Sequence, residues 1–191
     1  IAHLHKVYIS SGFISSLGDK FLITLYDYIS KSNKSFCIVA KENENIIGFV
    51  SGTQNLSELY KGFLKENFFK AFLVLLPQIF KPKMLFKIIE TLIYPKKKNI
   101  IPNIPDAELL SIAVNEAFQG KGRASLIFNA LVEEFKKQKI NSFKIIVGSN
   151  LNRASKFYEK IGCKKTTEIE IHKGEKSYIY VYNIKQKEGN E

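Results

Sequence analysis

The chain has 191 residues, 45% of them hydrophobic and 25% charged, which suits one domain with a substantial core and excludes a repeat or low-complexity protein. A formal charge of +11 would favour a nucleic-acid or membrane partner. The lysine excess, however, accompanies abundant Ile and Asn, as codon bias in an AT-rich genome produces, and no nucleic-acid motif is present, so no nucleic-acid partner is expected.

Cys37 and Cys163 lie far apart and form no CxxC pair, as expected of two reduced thiols in a cytoplasmic protein. His3, His5 and Lys6 interrupt the opening residues, which leaves no signal-peptide core. Ile1 leads directly into helix-like text, so a short N-terminal piece, one strand, is expected to be missing.

In chain order, His3 to Ile9 reads as an amphipathic helix and Leu17 to Ser30 as a second one. Ser35 to Ala40 and Ile46 to Thr53 read as a hairpin joined by Glu42-Asn43-Glu44-Asn45. Leu56 to Ile93 reads as two amphipathic helices broken at Pro77. Phe69, Phe72, Leu73 and Leu76 share one face there, and Leu85, Ile88, Ile89 and Leu92 share another. A link from Pro95 to Pro105 carries Lys96-Lys97-Lys98. Lys70 and Pro77 interrupt the apolar run, so neither helix can span a bilayer. A helical pair packed on the domain is the first expectation; a lid over the acceptor site, a homodimer contact and a basic face resting on a membrane surface are the others.

Glu108 to Val114 then reads as a strand, Ala124 to Gln138 as a helix, Phe143 to Val147 as a strand and Arg153 to Ile161 as a helix stopped by Gly162. Two strands close the chain, Lys164 to Ile171 and Ser177 to Ile184, turning at Lys173-Gly174. Alternating strands and helices give an α/β or α+β class. His3 and His5 lie on different helix faces, so a metal site is not expected, and His172 is expected to be exposed.

The chemistry concentrates at Gln119-Gly120-Lys121-Gly122-Arg123-Ala124, between a strand and a helix. Backbone N–H groups at a helix start have no internal partner, the helix dipole adds positive charge, and glycines admit close approach, so a phosphate group suits this turn. It is neither a P-loop, since no Gly-Lys-Ser/Thr closes it, nor a dinucleotide fingerprint, since position 125 is Ser125. A tight turn without a ligand is the plain alternative.

Ala107 to Val114 followed by Gln119, Gly122 and Ala124 resembles the acyl-CoA motif of the GNAT acetyltransferase superfamily, Gln/Arg-x-x-Gly-x-Gly/Ala. Arg153-Ala154-x-x-Phe157-Tyr158-Glu159-Lys160-x-Gly162 resembles that superfamily's second signature, with Cys163 where phenylalanine is usual. The resemblance implies a single GNAT-like domain over 1–191, a mixed central sheet flanked by helices and splayed between two parallel strands. The helical insertion 56–101 lies outside the common core.

It further implies acetyl-CoA as acyl donor and no metal. Its pyrophosphate would lie on the N–H groups of Gln119, Gly120, Lys121, Gly122, Arg123, Ala124 and Ser125, and its arm along Ile112, Ala113 and Val114. The N–H of Val114 would take an oxyanion role. The family's loop asparagine is Leu151 here, which leaves Asn150 and Asn152 as substitutes, and Arg153 reads as a phosphate contact or a solvated arginine. Glu108 matches a general base, or is an exposed or salt-bridged strand carboxylate; Tyr158 matches the acid that protonates the leaving thiolate, or is a buried structural tyrosine. The expected function is N-acetyl transfer to a small-molecule primary amine, an amino sugar or nucleotide sugar. An inactive acyl-CoA-binding module and a peripheral membrane or nucleic-acid-binding protein are the rival readings.

Overall fold

The computed structural model describes residues 1–97 and 103–185, with backbone alone at 95–97. The side chains of Lys96-Lys97-Lys98 and the link through residue 102 lie outside the described residues.

Three helices open the chain, α1 (Ala2–Tyr8), α2 (Phe13–Ser16) and α3 (Asp19–Lys31). Gly18 adopts φ 95°, so the helix expected from Leu17 begins at Asp19 as α3, and the short α2 before it was not expected. Along α3, Phe21, Leu22, Tyr26 and Ile29 form a buried stripe, with Asp19 in the first turn and Lys31 in the last, as the helix dipole favours. The hairpin β1 (Ser35–Glu42) and β2 (Asn45–Thr53) follows as expected.

The insertion forms α4 (Leu56–Ile79) and α5 (Pro82–Lys97). Asn55 caps α4 by accepting from the Glu58 N–H at 3.1 Å. The break expected at Pro77 falls instead at Phe80-Lys81. Pro77 sits within the last turn of α4, where the helix ends anyway, and Pro82 opens α5 at the position where a missing N–H costs nothing. The pair packs on the domain through Leu59, Phe63, Ala71 and Leu75, whereas the shared face of Phe69, Phe72, Leu73 and Leu76 points outward.

The rest alternates: β3 (Glu108–Val114), α6 (Arg123–Lys137), β4 (Ser142–Gly148), α7 (Asn152–Lys160), β5 (Lys164–His172) and β6 (Glu175–Asn183). The six strands form one sheet in the order β1-β2-β3-β4-β6-β5. Every neighbouring pair is antiparallel except β3 and β4. On one face of the sheet α6 and α7 bury Phe128, Leu131, Phe135, Phe143, Ile145 and Tyr180. On the other, α1, α3 and α4 pack Leu22, Tyr26, Ile29, Phe49 and Leu59.

Two irregularities in β3 shape the centre of this sheet. Ser51 pairs with Ser111 but Gly52 pairs with Leu109, so Leu110 is an extra residue in β3, a β-bulge. Beside it, β3 and β4 pair only at Glu108–Lys144 and Leu109–Ile145 and then part.

Candidate active site

The divergence of β3 and β4 opens beside a cavity of about 770 Å³. Its walls are the α1–α2 connection, β3 from Glu108 to Ser111, the end of β4, the β5–β6 turn and the insertion helices, through Leu59, Tyr60, Thr91 and Tyr94. Thus the insertion contributes to the pocket rather than lying apart from it.

The cavity wall is polar where a core would be apolar. His5 Nε2, Ser51 Oγ and Tyr94 OH are buried without a hydrogen-bond partner among the described residues, and all three belong to residues lining the cavity, as does Glu108, whose Oε2 meets only Lys144. A buried polar atom left unpaired is costly, so such a cluster marks a place that a ligand or solvent completes. His5 Nδ1 meets Tyr26 OH at 2.6 Å, and burial lowers the imidazole's pKa to about 4, so His5 is neutral at pH 7. Tyr94 and Tyr60 are raised, first by burial and then by the negative charge of Glu108.

Glu108 is buried, not exposed. Lys144 Nζ lies 3.0 Å from its Oε2, and the same ammonium donates to the carbonyls of Pro105 at 3.2 Å and Asp106 at 3.1 Å. A fully buried lysine therefore fixes the carboxylate at the point where the strands separate. His172, expected to be exposed, is also buried. Its Nδ1 contacts Glu90 Oε2 of α5 at 3.2 Å and its ring meets Phe13 edge-on at 4.7 Å, because α2 and α5 close over the β5–β6 turn.

The glycine loop lies outside this cavity, at the start of α6. Gly120 and Gly122 adopt φ 76° and 74°, a region that side chains disfavour, and a Cβ at either would point into open space. The first helical bond runs from Leu126 N to Gly122 O, so the N–H groups of Arg123, Ala124 and Ser125 precede the ladder. No side chain caps this end. Gln119 Nε2 donates to Val114 O at 2.7 Å, tying the loop to β3, and Lys121 Nζ reaches Ala117 O at 3.4 Å. Arg123 is drawn aside by Glu42 at 2.8 Å, which leaves its backbone N–H, not its guanidinium, for an anion.

Between loop and cavity runs β3. Asn115 N–H donates to Ile47 O of β2, so the N–H groups of Val114 and Ile112 point the other way, into the gap left by β4. Ala113 packs toward the α3 side. Asn150 lines the cavity, while Asn152 and Arg153 are exposed at the start of α7. Tyr158 is buried among Phe157, Cys163 and Tyr180, and burial raises its pKa, so the phenol keeps its proton. An uncapped helix start, open glycines and unpaired N–H groups along β3 fit the phosphate and the extended arm of an acyl-CoA. No cluster of three metal-binding side chains occurs among the described residues.

Sequence reasoning weighed His5 only as a metal ligand and passed over Tyr26, Ser51, Tyr60, Tyr94 and Lys144. Only the alternation of β3 around Glu108 hinted at a polar face; the rest come from distant elements that no spacing rule connects. Cys37 and Cys163 are free thiols pushed up to about 12 by burial, which leaves them inert.

A family model described as acetyltransferase (GNAT) domain matches residues 99–178. No curated protein sequence matches the chain. Among solved structures, an N-acetyltransferase from Staphylococcus aureus is similar at TM-score 0.59 and 14% identity, covering 96% of this chain and 92% of that one. The ribosomal-protein-S18-alanine N-acetyltransferase of Escherichia coli is similar at TM-score 0.53 and 14% identity, over 98% and 91%. A Bacillus anthracis protein solved in complex with acetyl coenzyme A is similar at TM-score 0.54 and 14% identity, over 83% and 67%. Both signatures, the splayed β3–β4 pair and this match agree in making residues 99–178 similar to a GNAT acetyltransferase domain, a family that uses acetyl-CoA as donor.

Proposed function

We propose that the protein transfers the acetyl group of acetyl-CoA to a primary amine held in the cavity, by direct attack in a ternary complex. The observation that carries this reading is the cavity's position: three unpartnered polar atoms and the buried Glu108 carboxylate line a pocket that opens where β3 and β4 separate. The N–H groups from Gly120 to Ser125 would hold the pyrophosphate, that of Gln119 being donated to Glu116 O at 3.1 Å, with Asn150, Asn152 and Arg153 beside it and Ile112 to Val114 along the arm. Bound there, acetyl-CoA supplies an activated thioester.

The amine lone pair bonds to the acetyl carbon while the carbon–sulfur bond breaks. Glu108 takes the amine proton, directly or through water, and the Val114 N–H stabilises the carbonyl oxygen. Tyr158 returns a proton to the thiolate, a transfer that the burial-raised pKa of its phenol opposes. The whole chain acts as one domain in this reading, with the insertion 56–101 selecting the acceptor through Tyr60, Thr91 and Tyr94. Hydroxyl, imidazole and carboxylate groups together suit a hydroxyl-bearing amine such as an amino sugar or nucleotide sugar. The name of the E. coli relative points to a protein's N-terminal alanine, a second class for the same assay.

The test is a thermal shift with acetyl-CoA followed by thiol release with a panel of amino sugars, nucleotide sugars and alanine-ended peptides. A shift with turnover by one class is expected; binding without turnover by any amine means an inactive acyl-CoA module. Gly122→Trp, which forces a bulky side chain to φ 74°, should abolish the shift, and retained tight binding would remove the loop from the site. Tyr158→Phe should lower kcat more than acetyl-CoA affinity, and unchanged turnover would end its role as acid.

A further inference from the structure

Five phenylalanines of this chain are exposed among the described residues, Phe68, Phe69, Phe72, Phe80 and Phe86, and all five lie on the α4–α5 hairpin. Phe69 and Phe80 are each 79% exposed, and Leu73, Leu76, Ile89 and Ile93 extend the surface. On α4 the apolar residues run round the whole circumference: Phe63, Ala71 and Leu75 face the domain while Phe69, Phe72 and Leu76 face out. A helix apolar on every side is normally covered on every side. Here the chain covers only half.

The chemistry of the surroundings selects the cover. Lys61, Lys65, Lys70, Lys81 and Lys83 are exposed along α4 and its turn to α5, against Glu66, while Glu58 is held by Lys34. Between α3 and α4 an aliphatic groove of Ile23, Leu73 and Val74 is flanked by Lys20 and Lys70. Ile23 is itself 60% exposed. A second copy meeting this face about a two-fold axis would set lysine against lysine. A bilayer with anionic headgroups takes the phenylalanines at its acyl boundary and the lysines at its phosphates.

We infer that the outer face of the α4–α5 hairpin, with the α3–α4 groove, docks the protein on an anionic membrane surface. The contact is interfacial: no helix among the described residues is long and apolar enough to cross a membrane. The helices whose inward residues Leu59, Tyr60 and Tyr94 line the cavity therefore also fix where that cavity sits relative to the lipid.

The test is co-sedimentation of the full chain with phosphatidylcholine vesicles, with and without phosphatidylglycerol, alongside size-exclusion of the free protein. Partition onto the phosphatidylglycerol vesicles is expected, falling steeply as salt is raised to about 0.5 M. Lys61→Gln, Lys65→Gln and Lys70→Gln should each weaken it by about fivefold. The triple change Phe69→Ser, Phe72→Ser and Phe80→Ser should abolish it while leaving the acetyl-CoA thermal shift in place. Equal partition onto neutral and anionic vesicles, or none, overturns the proposal. A vesicle-inert dimer split by the phenylalanine changes would assign the face to a second copy instead.

Discussion

The two faces of the central sheet are built to different rules. Toward α6 and α7, β3 and β4 present Leu109, Phe143, Ile145 and Val147, a dry core in which each large side chain meets others. Toward α1, α3 and the insertion, the same strands present Glu108, Ser111 and Lys144, with β2 adding Ser51. Buried charge and unpaired hydroxyls serve stability poorly, and apolar groups of the same volume would serve it as well or better. One face therefore holds the molecule together, and the other is organised around something not contained in the chain.

Removing side chains from each face should separate these roles. Glu108→Gln should lower kcat by about 10²–10⁴, and by leaving the fully buried Lys144 without its counter-charge it should lower the unfolding midpoint as well. An unchanged rate and pH profile would end the base assignment and reduce Glu108 to a partner for Lys144. Phe143→Ala, on the dry face, should cost stability without touching the chemistry. Phe143 is fully buried against Phe128, Phe135 and Tyr182, so its loss should cost about 3–5 kcal/mol in urea unfolding and leave acetyl-CoA affinity intact at low temperature. A smaller cost paired with lost activity would break the contrast.

His5 gives the finest probe. Its pKa is about 4 in the fold against 6.5 in the unfolded chain, so the unfolded state binds the proton first as pH falls. The wild type should lose stability between pH 6.5 and pH 4, by on the order of 3 kcal/mol at most, and keep it all above pH 6.5. His5→Gln should flatten that slope in thermal melts taken across the range. An equal slope in the variant would place the titrating group elsewhere.

The sequence made the dry face and the glycine loop legible because both rest on local rules. The stripe of Ile127, Leu131 and Phe135 follows helical spacing, and Gly120 and Gly122 announce a positive φ through their residue type. The polar face was not legible, because it is assembled from α1, β2, β3 and α5, and only the folded chain brings His5, Ser51, Glu108 and Tyr94 to one cavity. The outward face of α4 was not legible for a related reason. Periodicity shows that Phe69, Phe72 and Leu76 share a side but not which side meets the domain, and α4 is apolar on both.

Leu110 has a further consequence. In an uninterrupted strand, residues three apart face opposite sides, so Glu108 and Ser111 could not both line the cavity. One inserted residue acts as a phase shift: upstream of it even-numbered positions face the cavity, and downstream odd-numbered ones do. The strand is thereby divided into two independently addressed halves. The Glu108 half can be altered for a new acceptor while the half ending at Val114 keeps its setting toward the donor, and deleting Leu110 would invert one half against the other.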